Sequence, residues 1–493
     1  MTKYKSNAIC ISIALFLTIF VLPSHTQTWN EVLKVTASDK ARGDGFGYSV
    51  SISGQYAIVG AIEVGDANNT DALDTTGSAY IFKLDSTGSW NQIQKIVATD
   101  GNAKDYFGHS VSISGNHAIV GSSGDDGNRG AAYIFKIDTT GKWNQMKKIV
   151  ASDGTKQSFF GTSVSISNRY VLVGALSNKG SAYFFERNFQ DKWNQVQKVV
   201  PTSPISSTIG FGRSVSLSGQ YAVIGADGEG PTGSYAVGAA YIFKRNGQWD
   251  QVQRIVASDK AKFAYFGHSV SISDKSIIVG APKSNKKGSA YLFERNPQNK
   301  WVQKQKIIAS DKNTEFGGAV SLSGERAIVG TRYYTSGFKN AYLFERDTKG
   351  KWNQTQKLVT SDFSYAVAIS GDHAIVGSFA GANVRYAEGS AYFLKYGITP
   401  TNIYTKKNNG GASWKNNITI YPNPTKGNLT LELTNYQNEA TVTLKSITGK
   451  TIHSQTYTDV KRIQTNITGP KGIYIIEVQN KMGKQGVYKV IKK

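Results

Sequence analysis

The chain has 493 residues, 39% hydrophobic and only 18% charged, with 51 glycines, 26 tyrosines and 22 phenylalanines. That length holds about two to four ordinary domains, or one large repeat array and a small companion; the many glycines and aromatics with few charges exclude a helical bundle or a disordered chain and favour an all-β protein rich in turns. The formal net charge of +23 favours anionic surroundings, yet without a basic cluster or a reading helix it does not single out nucleic acid, and none is expected as a partner.

At the N-terminus Lys3 and Lys5 precede an apolar run from Ala8 to Val21, which Pro23 and the small residues near Ser24 to Thr26 bring to an end. This reads as a secretory signal peptide over residues 1–26. An uncleaved anchor is the alternative, but the run is short for a membrane span, which takes roughly 18 apolar residues or more. Cys10, the only cysteine, lies at the start of the run, where a lipoprotein signal would not place it. The mature chain therefore has no disulfide and depends on its core alone.

Residues 27–396 are dominated by internal repetition. Phe-Gly recurs at Phe46, Phe107, Phe160, Phe211, Phe266 and Phe316, with a degenerate copy at Phe363-Ser364, in steps of 61, 53, 51, 55, 50 and 47 residues. Each unit repeats four short runs, which in the first are FGYSVSIS from Phe46, YAIVGA from Tyr56, GSAYIFK from Gly77 and WNQIQKIVA from Trp90. The runs are β-branched or aromatic and separated by Gly, Asn, Asp or Ser, so each is a strand. Gly54 between the first two supplies the positive φ of a tight hairpin. Four antiparallel strands, repeated seven times at a period near fifty, predict a seven-bladed β-propeller. The ends sharpen the expectation. The seventh unit stops near Tyr396 without its Trp strand, and the missing strand, Trp29 to Val35, stands at the other end of the array. A ring closed by its first strand has a reason to split a unit in this way; an open solenoid has none.

These units resemble the FG-GAP repeats of integrin α subunits and many bacterial surface proteins, through Phe46-Gly47 with Val59-Gly60-Ala61 and through Phe266-Gly267 with Val279-Gly280-Ala281-Pro282. The resemblance covers all seven units and implies the propeller fold; it says little of function, since one fold hosts many activities. In calcium-binding members an Asp-x-Asp-x-Asp-Gly loop lies between the two motifs, because a hard cation needs several oxygens at short spacing. Here that loop reads Ser53-Gly54-Gln55-Tyr56 or Ser273-Asp274-Lys275-Ser276, so no metal or other cofactor is expected. Arg42-Gly43-Asp44 spells a tripeptide that integrins bind, but it falls in a connection between blades and is taken as coincidence.

Residues 397–417 are polar and glycine-containing and read as a linker and processing region. Residues 418–493 alternate as strands over Asn428 to Leu433, Ala440 to Ser446 and Ile473 to Val478, which predicts a small Ig-like β-sandwich. Their ITIYPNP from Ile418, Ile447-Thr448-Gly449-Lys450, GIYIIEV from Gly472 and the basic end Lys489 to Lys493 resemble the sorting domain of the type IX secretion system of Bacteroidetes. The resemblance implies Sec export through the periplasm, recognition by the type IX machinery, and release or attachment at the outer surface.

No catalytic motif stands out. His109 and His268 share the position after Phe-Gly, and His117 and His373 another where Tyr56 and Tyr221 also stand, so all four are expected in blade packing or on hairpin surfaces. Asp39, Asp100, Asp153, Asp259, Asp311 and Asp362 recur before most blades and are expected to close Asx-turns, with a carboxylate ring at the channel mouth as the alternative. The periodic tryptophans, Trp29 to Trp352, are expected to be structural rather than sugar platforms. The expected function is a secreted or cell-surface, non-catalytic, monomeric binding or adhesion protein for a protein or glycan; a propeller-scaffold polysaccharide hydrolase or lyase is the alternative. Variable loops between second and third strands are where recognition belongs on such a frame. Those of the neighbouring blades six and seven hold the candidate ligand-binding residues Arg332, Tyr333, Tyr334, Phe338, Arg385 and Tyr386.

Overall fold

The structure, a computed structural model, describes residues 27–40, 43–62, 76–86, 88–177, 179–202, 210–230, 236–259, 261–284, 287–311, 315–331, 340–359, 364–379, 388–398, 418–421, 425–446, 450–481 and 485–492. The chain divides into two compact units, residues 28–397 and a unit comprising residues 398–493 with the N-terminal segment. The predicted signal peptide lies outside the described residues, as does the predicted linker apart from Gly397 and Ile398, which end the strand Ser390–Ile398.

The first unit is a β-propeller. It contains seven four-stranded antiparallel sheets among the described residues. Blade one runs Phe46–Ser53, Tyr56–Ala61, Ser78–Leu84 and Trp90–Ile96 from the axis outward, and five more follow the same plan. The seventh takes Ser364–Ser370, His373–Ser378 and Ser390–Ile398 from the end of the array and Gln27–Val35 from its start. Among the described residues α-helix is confined to one short turn, Asp125–Asn128.

The burial pattern explains why the strands form. The second strand of blade one is buried along its whole length, as YAIVGA with no polar residue requires of a strand sandwiched between two neighbouring sheets. The outer strand alternates, with Trp90 and Ile96 buried and Asn91 exposed. Phe46 meets Tyr80 edge-on at 5.2 Å, and the same Phe–Tyr pair recurs as Phe107–Tyr133, Phe160–Tyr183, Phe211–Tyr241, Phe266–Tyr291 and Phe316–Tyr342. Short parallel bridges such as Gly77 to Phe107 tie blades one to six in succession, and Phe46 to Gly389 ties the last to the first.

Between most blades the contact is polar as well as apolar. Gln94 accepts from the backbone N–H of Trp143 at 2.8 Å and donates to its carbonyl at 2.7 Å. Gln197 grips Trp249, Gln253 grips Trp301, Gln305 grips Trp352 and Gln356 grips Trp29 in the same way. Near the axis the serines of the first strand reach across: Ser49 donates to the carbonyl of Gly108, and Ser51 accepts from the N–H of Ile113.

In the second unit all five strands belong to one hydrogen-bonded sheet. Its long strand, Asn428–Ser446, pairs with Ile418–Tyr421, Thr451–Asn466 and Gly472–Asn480, and its register shifts between Glu432 and Gln437. Leu429 and Leu431 on one side of that shift and Val442 and Leu444 on the other share a single core with Ile476 and Val490.

Candidate functional site

Of the aspartates recurring before the blades, Asp362 lies outside the described residues, and the other five pair with tyrosine or lysine side chains of their blades instead of ringing the channel. Asp39 accepts from the hydroxyl of Tyr80 on the third strand and from the Lys95 ammonium on the fourth, both at 2.8 Å. Asp153 with Tyr183 and Lys198, Asp259 with Tyr291 and Lys306, and Asp311 with Tyr342 and Lys357 repeat the triad. Blade two adds a second carboxylate: Lys148 bridges Asp100 and Asp125, and Tyr133 donates to Asp125. In blade four, where Pro201-Thr202-Ser203 replaces the Asp motif, Glu229 takes the hydroxyl of Tyr241 and pairs with Arg254 instead of lysine. Burial pushes the Asp39 carboxyl up, but Lys95 and Tyr80 outweigh it and hold the carboxyl below its ordinary range. Burial, with Asp39 adding to it, drives the Tyr80 hydroxyl up to about 12. The Asp39–Lys95 pair and its counterparts in blades three, five and six are part-exposed, so each contributes about 0–1 kcal/mol; they fix the connection in place more than they stabilise it.

The periodic tryptophans are buried, at 1% to 3% exposure, and are unavailable to a ligand. His117 packs edge-on against Trp193, and His373 against Trp90, as Tyr56 does against Trp143. His109 and His268 differ from expectation. Because the first strand borders the axis, the residue after each Phe-Gly faces the central channel, and both histidines line a cavity of about 750 Å³ there.

That channel mouth is the candidate site. Around it stand Tyr48, His109, Thr162, Arg213, His268, Gly318 and Tyr365, one from each blade. One side is aromatic. Tyr48 lies 4.7 Å from the ring of Tyr365 and 5.2 Å from Phe379, and its hydroxyl meets His109 Nε2 at 3.3 Å. Ile62, Tyr365 and Phe379 form a small buried cluster beneath it. The other side is charged: Asp227 meets His268 Nδ1 at 2.9 Å, and Arg213 Nε approaches the same carboxylate at 3.8 Å.

The connections into the blades add further aromatics. The residue before Phe-Gly has positive φ in every described copy: Gly45 at 65° and Gly210 at 85°, but also Tyr106 at 55°, Phe159 at 51° and Tyr265 at 55°. Glycine adopts this conformation freely, whereas a side chain there costs about 1–2 kcal/mol. Tyr106 and Phe159 nevertheless occupy it and line the cavity half-exposed. Strain of this kind gathers at functional sites. Gly43, the centre of the Arg-Gly-Asp tripeptide, is buried at φ 86° in the same connection, so the turn accounts for it; Arg42 lies outside the described residues.

The candidate residues Arg332, Tyr333, Tyr334, Phe338, Arg385 and Tyr386 also lie outside the described residues. The mouth residues were visible in the sequence only as the variable position following the recurring Phe-Gly, which packing explained equally well. Among the described residues no group of three or more His, Cys, Asp or Glu side chains gathers as a metal site would.

Comparison with known proteins completes the site's setting. The FG-GAP repeat matches residues 29–82, 90–135, 143–185, 193–243, 249–293 and 301–344, and the secretion system C-terminal sorting domain matches residues 419–493. No curated protein sequence matches the chain. Among solved structures, similarity is found to PorZ, an essential bacterial surface component of the type IX secretion system of Porphyromonas gingivalis, at 11% identity and TM-score 0.42 over 93% of this chain. The match spans 61% of that protein's length. A protein from Lactobacillus plantarum matches at 15% identity and TM-score 0.43 over 65% of this chain and 86% of its own. A fungal alcohol oxidase of the AA5 family, in complex with copper, matches at 11% identity and TM-score 0.45 over 95% of this chain and 99% of its own.

Proposed function

The chain belongs to the FG-GAP repeat family, and from that premise we propose that it is a non-catalytic binding protein of the cell surface or its surroundings, recognising its ligand on the propeller face that carries the loops between second and third strands. Its sorting domain marks it for export by the type IX system, to the surface or into the medium. No helix among the described residues is long and apolar enough to cross a membrane. Signal peptide, propeller, linker and sorting domain then act in sequence: Sec export, folding, outer-membrane passage, and presentation of a rigid disc.

The observation that supports this reading is the division of labour within the repeat. Residues that recur, such as Phe46, Tyr80, Trp90 and Asp39, are taken up by the frame, through burial or through the Asp–Tyr–Lys triads. Residues that vary, from Tyr48 to Gly318, gather at one end of the channel. A rigid scaffold with a variable rim is how recognition is commonly built. The test has two arms. In the native host, the chain truncated after Tyr396 is expected to fold but remain in the periplasm, while the full chain reaches the outside. The purified full chain is expected to retain a surface ligand in pull-down yet release no new reducing ends from a polysaccharide panel. Catalytic release of such ends would replace the binding reading with the hydrolase or lyase one.

A further inference from the structure

The two sides of the channel mouth differ in chemistry, and the difference narrows the ligand. Towards blades two and three, Tyr106 and Phe159 present half-exposed rings, whereas the repeating rings of the frame, such as Phe107 and Tyr133, are wholly buried. The backbone at these two positions is the one that glycine serves in blades one and four, so the rings are not there to satisfy the turn. Towards blades four and five, Arg213 and His268 share the single carboxylate of Asp227.

A cationic ligand would meet Arg213, while Asp227, buried behind the lining, offsets the charge of Arg213 and so denies an anion a net cationic partner. A neutral molecule with one apolar face and one edge of hydroxyls suits both sides. Pyranose rings have this form: their axial C–H groups lie against the negative face of an aromatic ring, and their hydroxyls both donate and accept. The cavity, about 750 Å³, lies within the roughly 300–1,000 Å³ typical of small-ligand sites. We infer that the channel mouth is a binding site for a neutral carbohydrate, with Tyr106 and Phe159 stacking on a sugar ring and Arg213 bonding its hydroxyls. The inference rests on the binding reading above and gives it a ligand class.

The rings stand where glycine belongs, and this supplies an unusually clean experiment. The full chain and its Tyr106→Gly/Phe159→Gly variant are applied to an array of neutral and acidic oligosaccharides, and the affinity of retained sugars is measured by calorimetry. The full chain should retain neutral oligosaccharides. The variant should bind them at least tenfold more weakly while its melting temperature is unchanged or higher, because glycine relieves the positive φ. Arg213→Gln should also weaken binding, by a smaller factor. Retention of no oligosaccharide, retention of acidic ones alone, or undiminished affinity in the double variant would overturn the carbohydrate site. Capture of a surface protein with no sugar would leave the binding reading intact and remove only this inference; capture of neither would remove both.

Discussion

Seven seams join the blades, and the one between blades seven and one is built differently from the rest. From blade one to blade two, Gln94 grips the backbone of Trp143, and Ser49, Ser51 and Ser53 bond across to the next first strand. At the closing seam Leu33 stands where the glutamine would be, and Ala366 and Ala368 replace the first two serines. Only Ser370 keeps its partner, the N–H of Gly54, at 3.4 Å. Aromatic packing fills this seam without that help: Phe393 stacks on Trp90 at 4.7 Å and 18°, as Phe184 stacks on Trp249 between blades three and four, where Gln197 bonds as well, and Tyr48 packs against Tyr365 and Phe379. The contrast teaches that repetition fixes geometry more strictly than chemistry. A seam needs a filled interface, and hydrogen bonds or rings both serve.

The most severe way to break the comparison is to remove the strand that closes the ring. Deleting Gln27–Val35 leaves Ser390–Ile398 as an open edge in a blade of three strands. A steep fall in melting temperature with aggregation is expected, measured by calorimetry and light scattering; a deletion that melts like the parent would overturn the closed ring.

Next in size is the loss of aromatic packing at the closing seam. Phe393→Ala should cost about 3–5 kcal/mol in denaturant unfolding, since Phe393 is wholly buried between Trp90 and Phe82. Hydrogen exchange should then show blades one and seven opening together before the other five.

Acid sharpens the contrast further. Burial, aided by the nearby Arg187, lowers the His117 pKa from 6.5 to about 4. Between those values the unfolded chain takes up a proton that the folded chain refuses, so stability falls as pH drops from 6.5 towards 4, by about 2 kcal/mol at pH 5. His117→Tyr, which installs the residue of blades one and four, should abolish that part of the loss when unfolding is compared at pH 7 and pH 5. His373, against Trp90 at the closing seam, is lowered for the same reason, burial first. Below about pH 4 the triad aspartates, held below their ordinary range, lose their contribution in turn.

The smallest expected effect comes from exchanging the seams' chemistry. Gln94→Leu should cost about 1–2 kcal/mol, because it leaves the buried backbone of Trp143 without partners. Leu33→Gln should change stability by less, since Leu33 packs against the apolar cluster around Trp90. Equal losses in the two variants would show that the seams are chemically alike after all.

Much of the frame was legible in the sequence because its signals are local and periodic. The Phe-Gly step, the alternation within each strand and the displaced Trp29 strand all lie within one repeat length or are plain by counting. The triads were not legible as triads, because Asp39, Tyr80 and Lys95 are separated by a connection and two strands, and an Asp after Ser-Asp spacing also suits a turn. Their common period was the available sign, and blade four, with Glu229 and Arg254, was its confirmation by exception. The channel mouth was hidden for another reason. Tyr106 and Phe159 occupy a backbone conformation that sequence assigns to glycine, so nothing in their neighbours announces where they point.

Of the propeller's strands, Gln27–Val35 leaves the ribosome first and finds its partner, Ser390–Ile398, last. Six blades can form from neighbouring segments as they emerge, but the seventh waits for the whole array, and pairing over such a separation is slow. Until then the protein has two raw edges. Completion is therefore a test of length: a chain cut short anywhere before Ser390 retains those edges. The sorting domain follows that point in the sequence, so the address for export is synthesised only after everything needed to close the ring.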